Sequence, residues 1–198
     1  MKKYLVVLLL FPVISIYSQN IDINLLRDIN LNRNKQLDGV FRGFSNSAGL
    51  VAFGLPVLLL GIGVIEKDSI MRNHSLYIGA SVLTSAIITN ILKYSLDRPR
   101  PFETYSFIEN VTIAGSPSFP SGHTSDAFAL ATSVSLAYPK WYIIVPSYAW
   151  AGVVSYSRMD LGVHYPSDVL AGAVIGAGAA YLCYKGQQWL QKKVKHNY

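Results

Sequence analysis

Five stretches of this sequence are almost free of charged residues, and each is about as long as a helix that crosses a lipid bilayer. They span residues 49–65, 75–92, 123–138, 141–157 and 169–184. At about 1.5 Å per residue, such helices cover most of a hydrocarbon core that is about 30 Å thick. Charged residues make up 14% of the chain, well below the roughly 25% of soluble domains. We therefore predict an all-α fold, a transmembrane bundle of five or six helices; the alternative is a soluble bundle with buried apolar helices.

The first 18 residues have the layout of a secretory signal. Two lysines precede an uncharged run over 4–17, and Ser18 is followed by a polar stretch. We predict cleavage after Ser18. Because Ile16 takes the place of the small residue that usually lies three positions before the cleavage site, the alternative is a retained membrane helix. Retention gives the bundle six spans, and cleavage gives it five.

Residues 19–48 are polar, but apolar side chains recur in them at the spacing of a helix. The recurring residues are Leu37, Val40, Phe41 and Phe44. This pattern predicts an amphipathic helix, which either lies on the membrane surface or packs against the bundle. We thus predict an extracytoplasmic segment at 19–48, a membrane-embedded domain at 49–186 and a basic cytoplasmic tail at 187–198.

Basic residues at the two ends of the chain predict its orientation. Lys2 and Lys3 begin the chain, and a lysine-rich tail ends it. Because such residues stay on the cytoplasmic side, counting crossings from either end places the polar connectors 93–122 and 158–168 outside. We predict a multi-pass protein of the bacterial inner membrane whose connectors face the periplasm. The net charge of +6 is dispersed along the chain, so we expect no nucleic-acid partner, and no feature indicates an obligate protein partner.

The outer connectors and the helix ends beside them hold the residues suited to chemistry. These residues are Lys93, Arg100, Ser121, Gly122, His123, Arg158, His164 and Asp168. The predicted topology brings them to one layer at one membrane face, and such convergence predicts a functional site. One lysine and two arginines suit a tetrahedral dianion, because arginine forks bind phosphate with paired hydrogen bonds and lysine adds a point charge.

The segment 120–124 lies where a polar loop becomes an apolar helix. The first N–H groups of a helix have no partner within it, so they form an anion site. Gly122 lets the backbone approach an oxyanion closely, and Ser121 adds a hydroxyl. The alternative for Ser121 is a simple N-cap.

Two histidines and an aspartate suit phosphoryl transfer. One histidine can attack phosphorus while the other protonates the leaving alkoxide, and His164 and His123 fit these roles. Asp168 follows His164 by four residues, and a carboxylate bonded to one ring nitrogen leaves the other nitrogen free as the nucleophile. We therefore predict that His164 is the nucleophile. Pro166 disfavours one helix through both residues, so their contact depends on a turn, with Ser167 as a cap of the next helix.

A metal site is the alternative chemistry. The possible ligands are His123, His164, Asp126, Asp160 and Asp168. No pair of them has the close helical spacing of a zinc motif, and the nearby cations oppose a metal ion. We therefore predict neither a metal nor a cofactor.

The site residues resemble the three-part signature of the type 2 phosphatidic acid phosphatases, which also occurs in vanadium haloperoxidases and bacterial class A acid phosphatases. The three parts are Lys93 with Arg100-Pro101 after six residues, Pro120-Ser121-Gly122-His123, and Ser157-Arg158 followed by His164 and Asp168. Each part is complete and the order is that of the family. Arg98 lies outside the signature and has no assigned role.

The resemblance implies a metal-independent phosphatase on a helical bundle, acting on a phosphomonoester or diphosphate of a membrane lipid. His164, oriented by Asp168, would carry a phosphohistidine intermediate, and His123 would be the general acid. The residues that would hold the phosphate oxygens are Lys93, Arg100, Ser121, Gly122 and Arg158. Membrane members of the family usually have six spans, which this chain has only if its first segment is retained.

Three other functions remain open. A periplasmic non-specific acid phosphatase shares the motifs, although it should have charged, amphipathic helices. A vanadate-dependent haloperoxidase would bind vanadate with the residues that would hold the phosphate oxygens. A transporter or lipid-binding subunit would keep the scaffold, but the two intact histidines argue against it. The substrate is not predicted, because phosphatidic acid, phosphatidylglycerol phosphate, undecaprenyl diphosphate and lipid A all present a phosphate at the membrane surface.

Overall fold

The computed structural model describes residues 21–196, with side chains as far as Leu190. The predicted signal or first membrane helix at 1–18 lies outside the described residues. Helix α1 covers 21–31 and a single 3-10 turn covers Lys35–Leu37. The helices that follow are α2 (Asp38–Ile65), α3 (Ser69–Leu96), α4 (Pro101–Thr104), α5 (Gly122–Ala137), α6 (Trp141–Asp160) and α7 (Pro166–His196). Within 21–196 there is no strand, so the predicted all-α fold is confirmed.

Helix α5 lies at the centre of the bundle, in contact with α2, α3, α6 and α7. Its buried residues are mostly alanine, serine and threonine, and small side chains let helix backbones approach one another closely. Helix α7 meets it through glycine. A Cβ on Gly172 would lie 2.6 Å from the carbonyl oxygen of Ser121, and a Cβ on Gly176 would clash with the carbonyl oxygen of Ser125. The beginning of α5 is therefore fixed against α7.

The outer surface of the bundle is apolar. Three helical stretches are long and apolar enough to cross a membrane, namely Lys35–Ile65, Ser69–Thr104 and Pro166–Leu190. On α2 the side chains of Leu50 and Val57 are 77% and 70% exposed, which is unfavourable in water and favourable in lipid. The chain is thus a membrane protein. Helices α5 and α6 have 16 and 20 residues and are not among the three stretches, so their crossing of the membrane stays a prediction.

The start of α2 differs from the sequence interpretation. Residues 19–48 are predicted to be separate from the membrane-embedded domain, but α2 is one continuous helix from Asp38 onwards. Val40 and Phe44 are exposed on it, while the ring of Phe41 packs against Tyr156 of α6, with 5.5 Å between the centroids. The apolar spacing in 37–44 therefore belongs to the first turns of α2.

Helix α1 is tied to the loops at one end of the bundle. The buried amide of Asn30 donates hydrogen bonds to the backbone oxygens of Asp160 and Glu109, at 2.9 and 3.0 Å. Arg33 forms ion pairs with Asp38 and Glu109, at 3.1 and 2.6 Å. These bonds hold the loop after α4 against the ends of α1 and α6, which is the end of the bundle where the predicted site residues lie.

Helix α7 begins at Pro166, so His164 and Asp168 are separated by a turn, as predicted. The prediction that Ser167 caps this helix is wrong, because Ser167 lies inside its first turn. Its backbone N–H and its hydroxyl both donate to Asp22 of α1, the N–H at 2.8 Å. Asp22 of α1 therefore accepts a hydrogen bond from an N–H in the first turn of α7. Such N–H groups are usually bonded by the N-cap residue of their own helix.

Candidate active site

The predicted site residues converge on one cavity of about 340 Å³. Those that line it are Lys93, Arg100, Gly122, His123, Arg158 and His164. Ser121 and Asp168 do not line the cavity; both are fully buried beside it. The cavity lies where α3 and α6 end and where α5 begins, so residues from distant parts of the chain meet at one end of the bundle.

Lys93 and Arg100 come from the last turn of α3 and the residues that follow it. Asp97 ends α3 in the left-handed conformation, with φ of 43°, and the chain then brings Arg100 to the cavity that Lys93 lines. The Nζ of Lys93 donates to the backbone oxygen of Pro117 at 2.6 Å, and the Nε of Arg100 donates to that of Ser116 at 2.7 Å. Both cations are buried and held by the loop before α5.

Arg158 lies in the last turn of α6, where it is 3% exposed. One terminal nitrogen of its guanidinium donates to the hydroxyl of Ser45 on α2. Its Nε has no hydrogen-bond partner among the described residues. A buried guanidinium with a donor to spare is suited to bind an anion, because an unpaired buried donor is otherwise costly.

The first turn of α5 places backbone N–H groups beside the lysine. Ser121 is the N-cap residue, but its side chain makes no capping hydrogen bond, so the alternative of a simple cap is not what the fold contains. Its hydroxyl accepts from Thr124 at 3.0 Å, and its N–H donates to the backbone oxygen of Asp168 at 3.0 Å. A Cβ on Gly122 would lie 3.8 Å from the Cε of Lys93. The positive end of the α5 dipole and the ammonium group therefore act on the same space.

His164 is buried in the turn between α6 and α7. Burial lowers the pKa of its imidazole to about 3, and the cations of Arg158 and Arg100 add to the decrease while Asp168 opposes it. The ring is therefore neutral at physiological pH, as a nucleophile must be. Its Nε2 lies 3.5 Å from a terminal nitrogen of Arg100, so this ring nitrogen faces the cationic part of the cavity.

The carboxylate of Asp168 is bonded to groups other than the histidine. It accepts hydrogen bonds from Arg98 at 2.6 Å, from the hydroxyl of Ser118 at 2.6 Å and from the N–H of Tyr165 at 3.0 Å. Its nearest oxygen lies 3.5 Å from Nδ1 of His164, which is longer than a hydrogen bond. The two residues are adjacent as predicted, but the carboxylate is positioned mainly by its three other partners.

The remaining acidic residues do not form a ligand set. Asp126 lines the cavity one turn after His123, and its Oδ1 has no hydrogen-bond partner among the described side chains. Asp160 is buried outside the cavity. In the part of the chain that the structure describes, no three His, Cys, Asp or Glu residues are grouped so as to hold a metal ion.

Sequence reasoning missed Ser45 and Ser118. Both are fully buried, and they bond to Arg158 and Asp168 respectively. Neither belongs to the three-part signature, and the chain contains many other serines in helices and loops. No pattern in the sequence distinguishes these two, because their partners are brought to them only by tertiary packing.

Residues 74–192 match the family model of the PAP2 superfamily, and this range includes all three parts of the signature. The chain belongs to the PAP2 superfamily. Its relatives include an undecaprenyl-diphosphatase of Sulfolobus acidocaldarius, 33% identical over 92% of this chain and 91% of that protein. A lipid A 1-phosphatase of Rhizobium etli is 31% identical, and the match covers 72% of this chain and 66% of the relative. The predicted class of enzyme, a phosphoric ester hydrolase, is that of this PAP2 family.

Two solved structures share the fold. LpxE of Aquifex aeolicus has a TM-score of 0.71 at 30% identity, covering 83% of this chain and 95% of the other. A transmembrane PAP2 type phosphatidylglycerolphosphate phosphatase of Bacillus subtilis has a TM-score of 0.72 at 23% identity, covering 95% and 97%. These similarities confirm the predicted transmembrane helical fold for this PAP2 member.

Proposed function

We propose that this PAP2 protein hydrolyses a phosphomonoester or diphosphate of a membrane lipid through a phosphohistidine on His164. The observation that carries the proposal is the cavity itself, which brings three buried cations and the start of α5 to a buried, neutral imidazole. Cations and helix N–H groups stabilise the charge on the phosphoryl oxygens, which is the main requirement of phosphoryl transfer.

The first half-reaction transfers the phosphoryl group to His164. Its Nδ1 faces Asp168, so Nε2 attacks phosphorus while the bond from phosphorus to the leaving oxygen breaks. The negative charge of the bound phosphate favours the protonated form of His123. Protonated His123 donates its proton to the leaving oxygen and becomes neutral, and the lipid leaves as an alcohol or as a lipid phosphate. In the second half-reaction His123 takes a proton from water, the water oxygen attacks phosphorus and the phosphorus–nitrogen bond breaks. Inorganic phosphate leaves, and both histidines regain their original protonation.

A lipid substrate is favoured by the surface around the cavity. The helices that form the cavity carry exposed apolar side chains towards the membrane, so an acyl or prenyl chain can stay in lipid while its phosphate enters the site. A soluble acid phosphatase would have polar outer helices instead. The names of the relatives, lipid A phosphatases and undecaprenyl-diphosphatases, agree with a lipid phosphate as the substrate.

The test of this function is phosphate release by the purified, detergent-solubilised protein in the presence of EDTA. We expect release from at least one of four lipids: phosphatidic acid, phosphatidylglycerol phosphate, undecaprenyl diphosphate and lipid A. The rate should stay within about twofold of that without chelator, because the proposed nucleophile is a histidine. A metal-dependent hydrolase would instead lose its metal-bound nucleophile in EDTA. Loss of activity in EDTA that added divalent metal restores would contradict the mechanism, and no release from any of the lipids would contradict the function.

We further propose that the cavity faces the periplasm at the inner membrane. Ile113, in the loop before α5, is 97% exposed at this end of the bundle, and the chain contains a single cysteine, Cys183. In a Cys183→Ser background, we expect Ile113→Cys to react with a membrane-impermeant maleimide in cells whose outer membrane is permeabilised and whose inner membrane is intact. The matched variant Glu66→Cys, in the exposed connector between α2 and α3, should react only after the inner membrane is opened. The reverse pattern would invert the orientation.

A further inference from the structure

Arg98 lies outside the signature, yet it joins three parts of the chain at the turn that carries His164. One terminal nitrogen donates to Asp168 at 2.6 Å and to the hydroxyl of Ser167 at 2.8 Å, and the other donates to Asp22 at 2.9 Å. The guanidinium carbon lies 3.9 Å from the centre of the Tyr165 ring, a cation–π contact. Arg98 is therefore bonded both to the first turn of α7 and to α1.

Asp22 holds the other side of the arginine. Its carboxylate is 7% exposed, and besides Arg98 it accepts the N–H and the hydroxyl of Ser167. A carboxylate buried to this degree needs charged or N–H donors around it, and Asp22 has both. Asp22 and Arg98 thus form one connected set of charge-assisted hydrogen bonds that ends on the carboxylate of Asp168.

We propose that Arg98 is a positioning residue for the nucleophile His164, acting through Asp168, and that Asp22 of α1 keeps Arg98 in place. The proposal rests on the function proposed above. Asp168 is fully buried, and Arg98 is the described partner of its Oδ1, while Ser118 and the N–H of Tyr165 bond to its Oδ2. Without Arg98, Oδ1 loses its counter-charge in a site closed to solvent, so the carboxylate turns towards other donors.

The nearest available donor is the imidazole of His164, whose Nδ1 already lies 3.5 Å from Oδ2 of Asp168. The charged groups that face this ring are Asp168, Arg158 and Arg100. Arg98 offsets the negative charge of Asp168, so its removal lets Asp168 favour the imidazolium and raises the pKa of His164. The neutral, nucleophilic ring is then lost at a higher pH, and the acidic limb of kcat/KM moves to higher pH.

The experiment compares Arg98→Gln and Arg98→Lys with the wild type, using the lipid that gives the highest activity. We expect kcat to fall about 10- to 100-fold in Arg98→Gln. This is the loss typical of removing a residue that orients a functional side chain through a hydrogen bond. KM should change less than about threefold, because the phosphate cradle keeps its cations. Arg98→Lys should recover part of kcat, and the acidic limb should move up in Arg98→Gln. As a single substitution, Asp22→Asn should lower kcat. Added to Arg98→Gln, it should cause no further decrease in kcat.

Arg33 provides the matched control. It is also buried, it is bonded to two carboxylates, and it ties α1 to the loop after α4, but it does not line the cavity. Arg33→Gln should lower thermal stability about as much as Arg98→Gln while kcat and the acidic limb stay at wild-type values. Equal losses of kcat in both variants, or an unchanged kcat and acidic limb in Arg98→Gln, would overturn the proposal.

If Arg98→Gln does not fold, Asp22→Asn tests the proposal instead. A folded Asp22→Asn variant with wild-type kcat overturns it. A reduced kcat, with the acidic limb of kcat/KM moved to higher pH, supports it. Failure of the proposed function is a separate result. A folded wild type that releases no phosphate from any of the lipids contradicts the phosphatase assignment itself, whatever the variants do. Release by the wild type with no effect of Arg98 contradicts only the positioning role.

Discussion

Phosphate release is expected to fall by roughly 10⁴-fold or more, to near background, when His164 is replaced by alanine. The imidazole is the neutral nucleophile in the mechanism proposed here, and its Nε2 faces the cationic side of the cavity. Alanine leaves the cradle of Lys93, Arg100 and Arg158 intact, so the variant should still bind the lipid phosphate. The measurement is a rapid quench with a lipid labelled with ³²P in the phosphate, which gives both the rate and the covalent intermediate.

The label itself identifies the intermediate. A phosphoramidate on histidine survives alkali and is released by acid, so the wild type should carry alkali-stable, acid-labile label and His164→Ala should carry none. The matched control is His74→Ala. His74 packs on the ring of Tyr138, with 4.9 Å between the centroids, and it does not line the active-site cavity. We expect its activity and label to stay close to the wild type. Retained label in His164→Ala would assign the nucleophile to another residue.

The signature residues were predictable because each combines a distinctive chemistry with a position at a helix end. The number and order of the long helices follow from the uncharged stretches, and the polar connectors and helix ends beside them contain Lys93, Arg158 and His164. Once the topology places two connectors on one side, these residues must meet. The described fold brings them to a single cavity, so hydropathy and residue type were enough to predict that these residues converge.

The partners of those residues were not predictable in the same way. Asp22 and Ser167 are separated by 145 positions, and Arg98 and Asp168 by 70. No local period or spacing connects such pairs, since they depend on how α1 packs against the first turn of α7. Asp22 belongs to a polar segment that the sequence interpretation separates from the membrane-embedded domain, so nothing in the pattern indicates that it reaches the site.

The contact between His164 and Asp168 illustrates the limit of a spacing argument. A separation of four residues places the carboxylate near the ring, and the structure keeps them adjacent at 3.5 Å. Whether a hydrogen bond forms depends on the competing donors, and among the described residues Asp168 has three, from Arg98, Ser118 and Tyr165. The number of donors around a buried carboxylate is a property of the packed fold, which a sequence pattern does not contain.

Arg158→Lys is expected to lower kcat/KM by about 10²- to 10³-fold, although the substitution keeps the positive charge. The guanidinium of Arg158 bonds to Ser45 through one terminal nitrogen, and its Nε has no partner in the part of the chain that the structure describes. It can therefore reach a phosphate oxygen while it stays anchored to α2. A single ammonium group cannot do both from the same buried position. The measurement is kcat/KM for the best lipid together with the inhibition constant of vanadate, a mimic of the phosphoryl group in transfer.

Vanadate separates a cradle residue from a structural one. If Arg158 stabilises charge that develops on the phosphoryl oxygens, its replacement weakens vanadate binding in parallel with kcat/KM, because both report contact with the same oxygens. Arg42→Lys is the matched control, since Arg42 lies on α2 one turn before Ser45 and is exposed; it should leave both quantities unchanged. An Arg158→Lys enzyme with reduced kcat/KM but wild-type vanadate affinity would mean that this guanidinium braces α2 against α6 and does not contact the phosphate.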